Sequence, residues 1–295
     1  MIDNSTISAI VFIFNEEQYI SQMIDSIVNQ SVKVDKIIIV DDFSTDRTVE
    51  VVERYQTEYA EIELIRNSKK GKVYALEAGL QQVSTDLFFV CAGDDVLERN
   101  YVQYLYQEML KKHRIDFCHA SFVITDGNLH EIEVKSHPKL YYTSEELLYA
   151  NYVGGYIFGY RHVIDLILPF PEGLSFEDWF TNLKLSQHYS RFYVSPVPLF
   201  KYRVDIAGIY AKQIDRRRLE YKLKRELDMY EKVAAAGFIT DPHRNQILND
   251  RIALFRFRVN LSFGGLRDIF FRKHISPYEK VKMLFYPLLL KIKYK

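Results

Sequence analysis

The stretch Ile7-Ser-Ala-Ile-Val-Phe-Ile-Phe14, followed further on by Lys36-Ile-Ile-Ile-Val40 and the acids Asp41-Asp42, decides the fold. Both runs are nearly continuous, apolar and rich in β-branched residues, the pattern of strands covered on both faces in a parallel sheet. Between them Ile20, Met23, Ile24, Ile27 and Val28 recur at i, i+3, i+4, i+7 and i+8, which draws one apolar stripe along a helix. The unit is therefore strand, helix, parallel strand.

The same alternation continues outward. A helix is expected over about 47–59, a strand over Ile62 to Ile65, a helix over about 72–83 and a strand over Leu87-Phe-Phe-Val-Cys-Ala92. Repeated β–α alternation predicts an α/β fold class with a mostly parallel central sheet flanked by helices. A further helix over 100–113 and a strand over 117–123 follow. The pattern then becomes irregular, punctuated by Gly154-Gly155, Pro169, Pro171 and Gly173. Helical periodicity returns over about 177–188, and charged helices run from Arg216 to about Leu266. This predicts a main domain over 1–210, with halves 1–123 and 124–210, and a helical C-terminal extension over 211–295.

Composition sets outer limits. The chain has 295 residues, 48% hydrophobic and 26% charged, with Lys plus Arg and Asp plus Glu at 39 each. Balanced charge argues against nucleic acid as a partner, because such binders carry a basic excess. Cys91 and Cys118 are too few for a disulfide framework or a cysteine metal site and read as reduced core thiols. His113, His119, His130, His137 and His188 show no metal-ligand spacing. The N-terminus has no basic region ahead of its apolar run, so no signal peptide is expected. No run of about 18 apolar residues is present to span a membrane. A cytoplasmic location is the expectation.

In an open parallel sheet, ligands sit beyond the carboxyl ends of the strands. There the sequence places Asp41-Asp42 after one strand and Gly93-Asp94-Asp95 after another. Either pair alone reads as a helix cap or turn. Together at one sheet edge they repel, and a divalent cation, Mn2+ or Mg2+, would neutralise them while holding substrate phosphates. Asn67-Ser-Lys-Lys-Gly-Lys72 is no P-loop, and Asn15-Glu16-Glu17 replaces the glycines of a dinucleotide fold. Phosphates must then be held by the cation and Lys72. Glu177-Asp178-Trp179 opens a predicted helix after a glycine- and proline-rich loop. The two acids suit a helix first turn on dipole grounds alone. In the functional reading Asp178 is a general base for an acceptor hydroxyl and Glu177 orients it.

These residues resemble glycosyltransferase family 2, inverting enzymes of the GT-A fold, over about residues 6–205. Phe12-Ile13-Phe14-Asn15-Glu16-Glu17 is similar to the family's Pro-x-Tyr/Phe-Asn opening without the proline. Val40-Asp41-Asp42-Phe43-Ser44-Thr45-Asp46-Arg47-Thr48 matches its V-D-D-G-S-x-D-x-T pattern with Phe43 for glycine. Gly71 to Gly79 matches G-x-x-x-A-x-N-x-G with Glu77 for asparagine, and Ala92-Gly93-Asp94-Asp95 is its D-x-D-D without the first acid. Gly154-Gly155-Tyr156 resembles the acceptor-side segment, Glu177-Asp178 the E-D motif, and Tyr202-Arg203-Val204-Asp205 the closing Tyr-Arg-x-His with Asp205 for histidine.

The resemblance implies a Rossmann-like donor half over 1–123 and an acceptor half over 124–210. It implies donor contacts from Phe14 on the base, Asn15, Glu16, Asp42 on uracil or ribose, Lys72, Asp94 and Arg203, with Asp94 and Asp95 on the metal. Gly155, Tyr156 and Trp179 fall on the acceptor side, Trp179 reading as pocket wall or core anchor before sugar platform. The activity implied is inverting transfer from a nucleotide-sugar donor, expected to be a UDP-sugar, to a glycan or lipid-linked glycan acceptor in bacterial surface polysaccharide synthesis. A degenerate nucleotide-sugar-binding scaffold and a nucleotidyltransferase are the alternatives.

From Arg267 to Lys295, eight basic residues face two acidic ones and alternate with Phe270, Phe271, Met283, Leu284, Phe285, Tyr286 and Leu288 to Leu290. That mixture suits a segment lying on an anionic membrane surface, which would place the protein peripherally at the inner face of the cell membrane. It equally suits a helical hairpin packed on the domain with its lysines solvated. Pro287 weakens both readings as a continuous helix.

Overall fold

A computed structural model describes residues 4–112, 115–137, 139–154, 156–204, 216–260 and 268–283, with side chains from 219 in the long helix that starts at Arg216. The chain divides into two units. The first comprises Met1–Tyr142, Val153–Phe170 and Arg191–Gly208, and the second Thr143–Tyr152, Pro171–Ser190 and Ile209–Lys295.

The first unit is built on the predicted strand–helix alternation. β1 (Ile7–Ile13), α1 (Ile20–Val28), β2 (Lys36–Asp41), α2 (Thr48–Glu58), β3 (Ile62–Arg66), α3 (Lys72–Gln81) and β4 (Leu87–Ala92) follow in order. β1 is central, parallel to β2 on one side and β4 on the other, and β2 is parallel to β3. The apolar stripe of α1 is buried as its spacing requires, at Ile20, Met23, Ile24 and Ile27. α3 lies very close on the sheet. A Cβ on Gly79 would come 2.5 Å from Ile10 Cγ2 and 3.1 Å from Val40 Cγ2, so only glycine fits there.

Beyond β4 the sheet is mixed rather than parallel. β5 (Val96–Leu97), α4 (Tyr101–Lys111), β6 (Phe117–Thr125), β7 (Glu131–Lys135), β9 (Ile157–Tyr160), α5 (His162–Ile167) and β10 (Arg191–Arg203) complete this unit, with the short β8 (Tyr141–Thr143) beginning in it. β9 inserts antiparallel between β4 and β6, β10 runs parallel to β6, and β5 and β7 are antiparallel edges. The described path is β3-β2-β1-β4-β9-β6-β10-β5. The region expected to be irregular thus holds real strands. Gly159 permits β9, because a Cβ there would meet Phe117 Cβ at 2.8 Å. The prolines of β10 coincide with two register shifts between Ser195 and Lys201. Cys91 and Cys118 are buried free thiols.

The second unit is helical, with α6 (Glu177–Leu185) and two long helices, Arg216–Ala236 and Pro242–Asn260. Gly237 at φ +66° ends the first of these. Tyr230 donates its hydroxyl to the Leu148 carbonyl at 2.9 Å. The described part of the basic C-terminal stretch packs on the helix Pro242–Asn260. Arg251 pairs with Glu279 at 2.8 Å, and the buried Asp250 accepts from His274 N at 3.0 Å and Arg272 Nη1 at 3.2 Å. Phe271 and Tyr278 nonetheless remain 83% and 74% exposed. Gly155, Asp205, the boundary expected near 210, and 284–295 lie outside the described residues. No described helix is long and apolar enough to cross a membrane.

Candidate functional site

The carboxyl ends of β1, β2 and β4 stop level with one another. Ile13 is paired with Asp41, and Phe12 with both Val40 and Ala92. The loops that start at Phe14, Asp42 and Gly93 therefore leave the sheet at one edge. Further backbone bonds hold them there, Asp42 N to Ile13 O at 2.8 Å and Gly93 N to Phe12 O at 3.1 Å.

Phe14 is exposed at that edge, with the Lys70 ammonium 4.7 Å from its ring centroid. Asn15 turns the chain at φ +56° and accepts the Thr45 N–H on its Oδ1 at 2.8 Å. That turn ends β1 at Ile13, one residue short of the expected strand. Asp42 is buried, and its Oδ1 accepts from Gly71 N at 2.7 Å and Asn67 Nδ2 at 2.9 Å. Its neighbour Asp41 is buried against Arg66 Nη1 at 2.9 Å. Lys72 opens α3 with its ammonium 4.8 Å from the Phe12 ring, and its charge acts on Asp94.

Glu16, Asp94 and Asp95 form the acidic part. Gly93 lets them converge, since a Cβ there would fall 2.5 Å from Ile13 Cγ2 and 3.3 Å from Glu16 Cγ. Burial, then the carboxylates of Asp94, Asp95 and Asp46, push Glu16 up to about 8. Burial and then Asp94 push Asp95 up to about 8, and burial raises Asp94 as well. Crowded carboxylates of this kind favour a proton or a cation between them.

A divalent cation can be tested against these donors. Hard cations take carboxylate and phosphate oxygens, and one or two protein carboxylates suffice when a substrate diphosphate completes the shell. Asp94 and Glu16 fit that requirement. Asp95 fits it poorly: it is fully buried, and its two oxygens accept from Arg203 N at 2.8 Å and from the Tyr156 hydroxyl. Among the described residues no group of three or more His, Cys, Asp or Glu side chains is arranged to hold a metal.

Two expected substrate contacts sit inside the protein instead. Tyr156 is buried with its ring 4.5 Å from Phe200, and its hydroxyl bridges Asp95 and the Ala92 N–H. It supports the acidic loop rather than facing an acceptor. Arg203 is also buried, and its guanidinium donates to the Asp94 carbonyl and Gln22 Oε1 and stacks 4.6 Å from the Tyr19 ring. In this structure it braces that loop. Asn67, Gly71, Gln22 and Tyr19 were not anticipated. Of these only Gly71 carried a signal, as the first glycine of its motif.

In the second unit Glu177 and Asp178 open α6 as predicted. Asp178 accepts from Asn151 Nδ2 at 2.7 Å and from Trp179 N at 2.8 Å. Glu177 is buried. Trp179 is a core anchor: it is buried, donates Nε1 to the Leu147 carbonyl at 2.7 Å, and lies edge-on to Tyr230 at 5.2 Å.

Comparison with known proteins gives the family and the fold. Residues 8–164, just over half of the chain, match the model described as Glycosyl transferase family 2. The cholesterol galactosyltransferase of Borreliella burgdorferi is 30% identical over 100 residues, 34% of this chain and 28% of that protein. A dolichyl N-acetyl-alpha-D-glucosaminyl phosphate 3-beta-D-2,3-diacetamido-2,3-dideoxy-beta-D-glucuronosyltransferase of Methanococcus voltae is 30% identical over 101 residues, 33% of this chain and 32% of that protein. These matches span only about a third of the relatives' own length. The crystal structure of S. aureus TarS 1–349 in complex with UDP superposes with a TM-score of 0.64 at 15% identity, covering 98% of this chain and 89% of that one. At that identity the likeness speaks for the fold alone. Fold and site together define a GT-A glycosyltransferase. The chain belongs to glycosyl transferase family 2.

Proposed function

We propose that this glycosyltransferase moves a sugar, with inversion, from a UDP-sugar to a hydroxyl of a glycan or lipid-linked glycan in surface polysaccharide assembly. The observation that carries the donor assignment is the convergence of Phe14, Asp42 and Asp94 on three loops at one sheet edge. Phe14 offers a ring face to the base, and Asp42, fixed by Asn67 and Gly71, a carboxylate to uracil or ribose. Lys72 supplies positive charge for the diphosphate. Asp94 and Glu16 would hold Mn2+ or Mg2+, which when bound neutralises charge on the departing diphosphate. Asp178 takes the proton of the acceptor hydroxyl. As the new bond forms at the anomeric carbon, the bond to the diphosphate breaks and UDP leaves with its electron pair.

A panel of nucleotide sugars, read out as released nucleoside diphosphate, tests this. Release of UDP from at least one UDP-sugar, lost in Asp178→Asn with UDP binding retained, is the expected result. Release unaffected by Asp178→Asn would remove the base from the account, and release only from non-uridine donors would remove the UDP assignment.

Peripheral attachment at the cytoplasmic face of a membrane is the second part of the proposal. It is supported by exposed Phe271, Tyr278 and Val281 beside Lys273, Lys280 and Lys282. Flotation with anionic vesicles should carry the wild-type chain and not Phe271→Ser/Tyr278→Ser. Equal flotation of the two would count against it.

A further inference from the structure

Two phenylalanines of the first unit are exposed among the described residues, Phe14 at 42% and Phe43 at 46%. They leave the sheet at the same place. Ile13 and Asp41 are the last paired residues of β1 and β2, strands about 4.8 Å apart, and Phe14 follows one by a single residue while Phe43 follows the other by two. The loops are then stitched together, Asn15 N to Ser44 Oγ at 2.9 Å and Thr45 N to Asn15 Oδ1 at 2.8 Å.

Phe43 adopts φ +64°. Glycine takes that conformation freely, asparagine tolerates it, and a bulky aromatic residue resists it. The loop holds it there, because Ser44 N is bonded to the Asp41 carboxylate at 3.2 Å and Asn15 bonds to Ser44 Oγ and Thr45 N. The ring is therefore held against backbone preference, and it wins little core burial in return. A group arriving from solvent and packing on the ring would offset that cost. The group nearest in sequence is Asp42, beside which the nucleoside is placed above.

We propose that the Phe43 ring is a second aromatic surface for the donor's nucleobase, working with Phe14 as a specificity-determining residue. The inference rests on the donor-site reading above. A flat base presents two π faces and an apolar edge, and a single exposed ring leaves part of that surface in water. Loss of one base–aromatic contact typically weakens binding by roughly five- to a hundredfold.

Calorimetric titration of UDP, paired with thermal melts, tests it. Phe43→Gly should weaken UDP binding by about tenfold while its melting temperature is no lower than wild type, since glycine relieves the backbone. Phe43→Leu should lose affinity too, and Phe43→Tyr, which keeps the ring, should stay within about twofold of wild type. Wild-type affinity in Phe43→Gly overturns the inference, as does equal loss in the glycine and tyrosine variants. A lowered melting temperature in Phe43→Gly also overturns it, because the ring would then be a packing group. Folded wild-type protein that binds no UDP removes the donor-site reading itself, a different failure from an unchanged glycine variant.

Discussion

The carboxylate of Asp42 accepts the backbone N–H of Gly71 at 2.7 Å. That bond joins the end of β2 to the N-cap of α3, so the acid is aimed by the residues that lead into that helix, Asn67 and Gly71, rather than by its own loop. Gly71 sits at φ +138°, and a Cβ there would come 3.1 Å from the Tyr74 ring.

Gly71→Ala should therefore be strained by about 1–3 kcal/mol and should release Asp42 as well. Urea denaturation is expected to show the stability loss, and UDP titration a parallel loss of affinity. Unchanged values in both would mean that the Asp42–Gly71 contact positions nothing.

The acidic edge should make stability depend on pH. Glu16 and Asp95 ordinarily ionise at 4.5 and 3.8, and in the fold both are raised to about 8, by burial first and then by neighbouring carboxylates. Between those values the folded chain holds protons that the unfolded chain has released, so stability falls as pH rises from about 4.5 to 8 and levels off above that. Thermal melts without added metal should show that decline. Mn2+ or Mg2+ should raise the melting temperature more at pH 8 than at pH 5, where protons already occupy the carboxylates. A flat profile would contradict the clustering.

Tyr156→Phe probes the brace beneath the same loop. Removing the hydroxyl leaves the Ala92 N–H and one Asp95 oxygen without a buried partner, which should lower stability by about 2 kcal/mol. Chemical denaturation reads this directly. An acceptor-side role would instead leave stability intact and raise the acceptor KM.

Much of the donor half was legible because its signals are local. The β-branched runs of β1 and β2 and the stripe of α1 specify period and burial within single elements, and the acids at strand ends follow from the strands. After Ala92, β6 is still legible as the apolar run 117–123, whereas the strands that follow it were not, for the opposite reason. β9 is the short Ile-Phe-Gly-Tyr run after two glycines, and it exists through pairing with β4 and β6, residues about 40 to 70 positions earlier in the chain. β10 carries Pro196 and Pro198, residues that interrupt a regular strand ladder, and two register shifts between Ser195 and Lys201 accommodate them.

The same distinction separates the site residues. Asp42, Asp94 and Asp178 are visible as motif positions, whereas the burial of Tyr156 and Arg203 depends on which distant groups meet them. Arg203 looks like a free cation in sequence and becomes a brace only because Gln22, Tyr19 and the Asp94 carbonyl surround it.

The central claim is that the loops after β1, β2 and β4 form a nucleoside-diphosphate site. Calorimetric titration of UDP into the wild-type chain and Asp42→Asn, with Mn2+ present, tests it most directly. Saturable 1:1 binding by the wild type, weakened at least about tenfold by loss of one charge-assisted hydrogen bond in Asp42→Asn, is the predicted result. Equal affinity in the two proteins, with both folded, would contradict it.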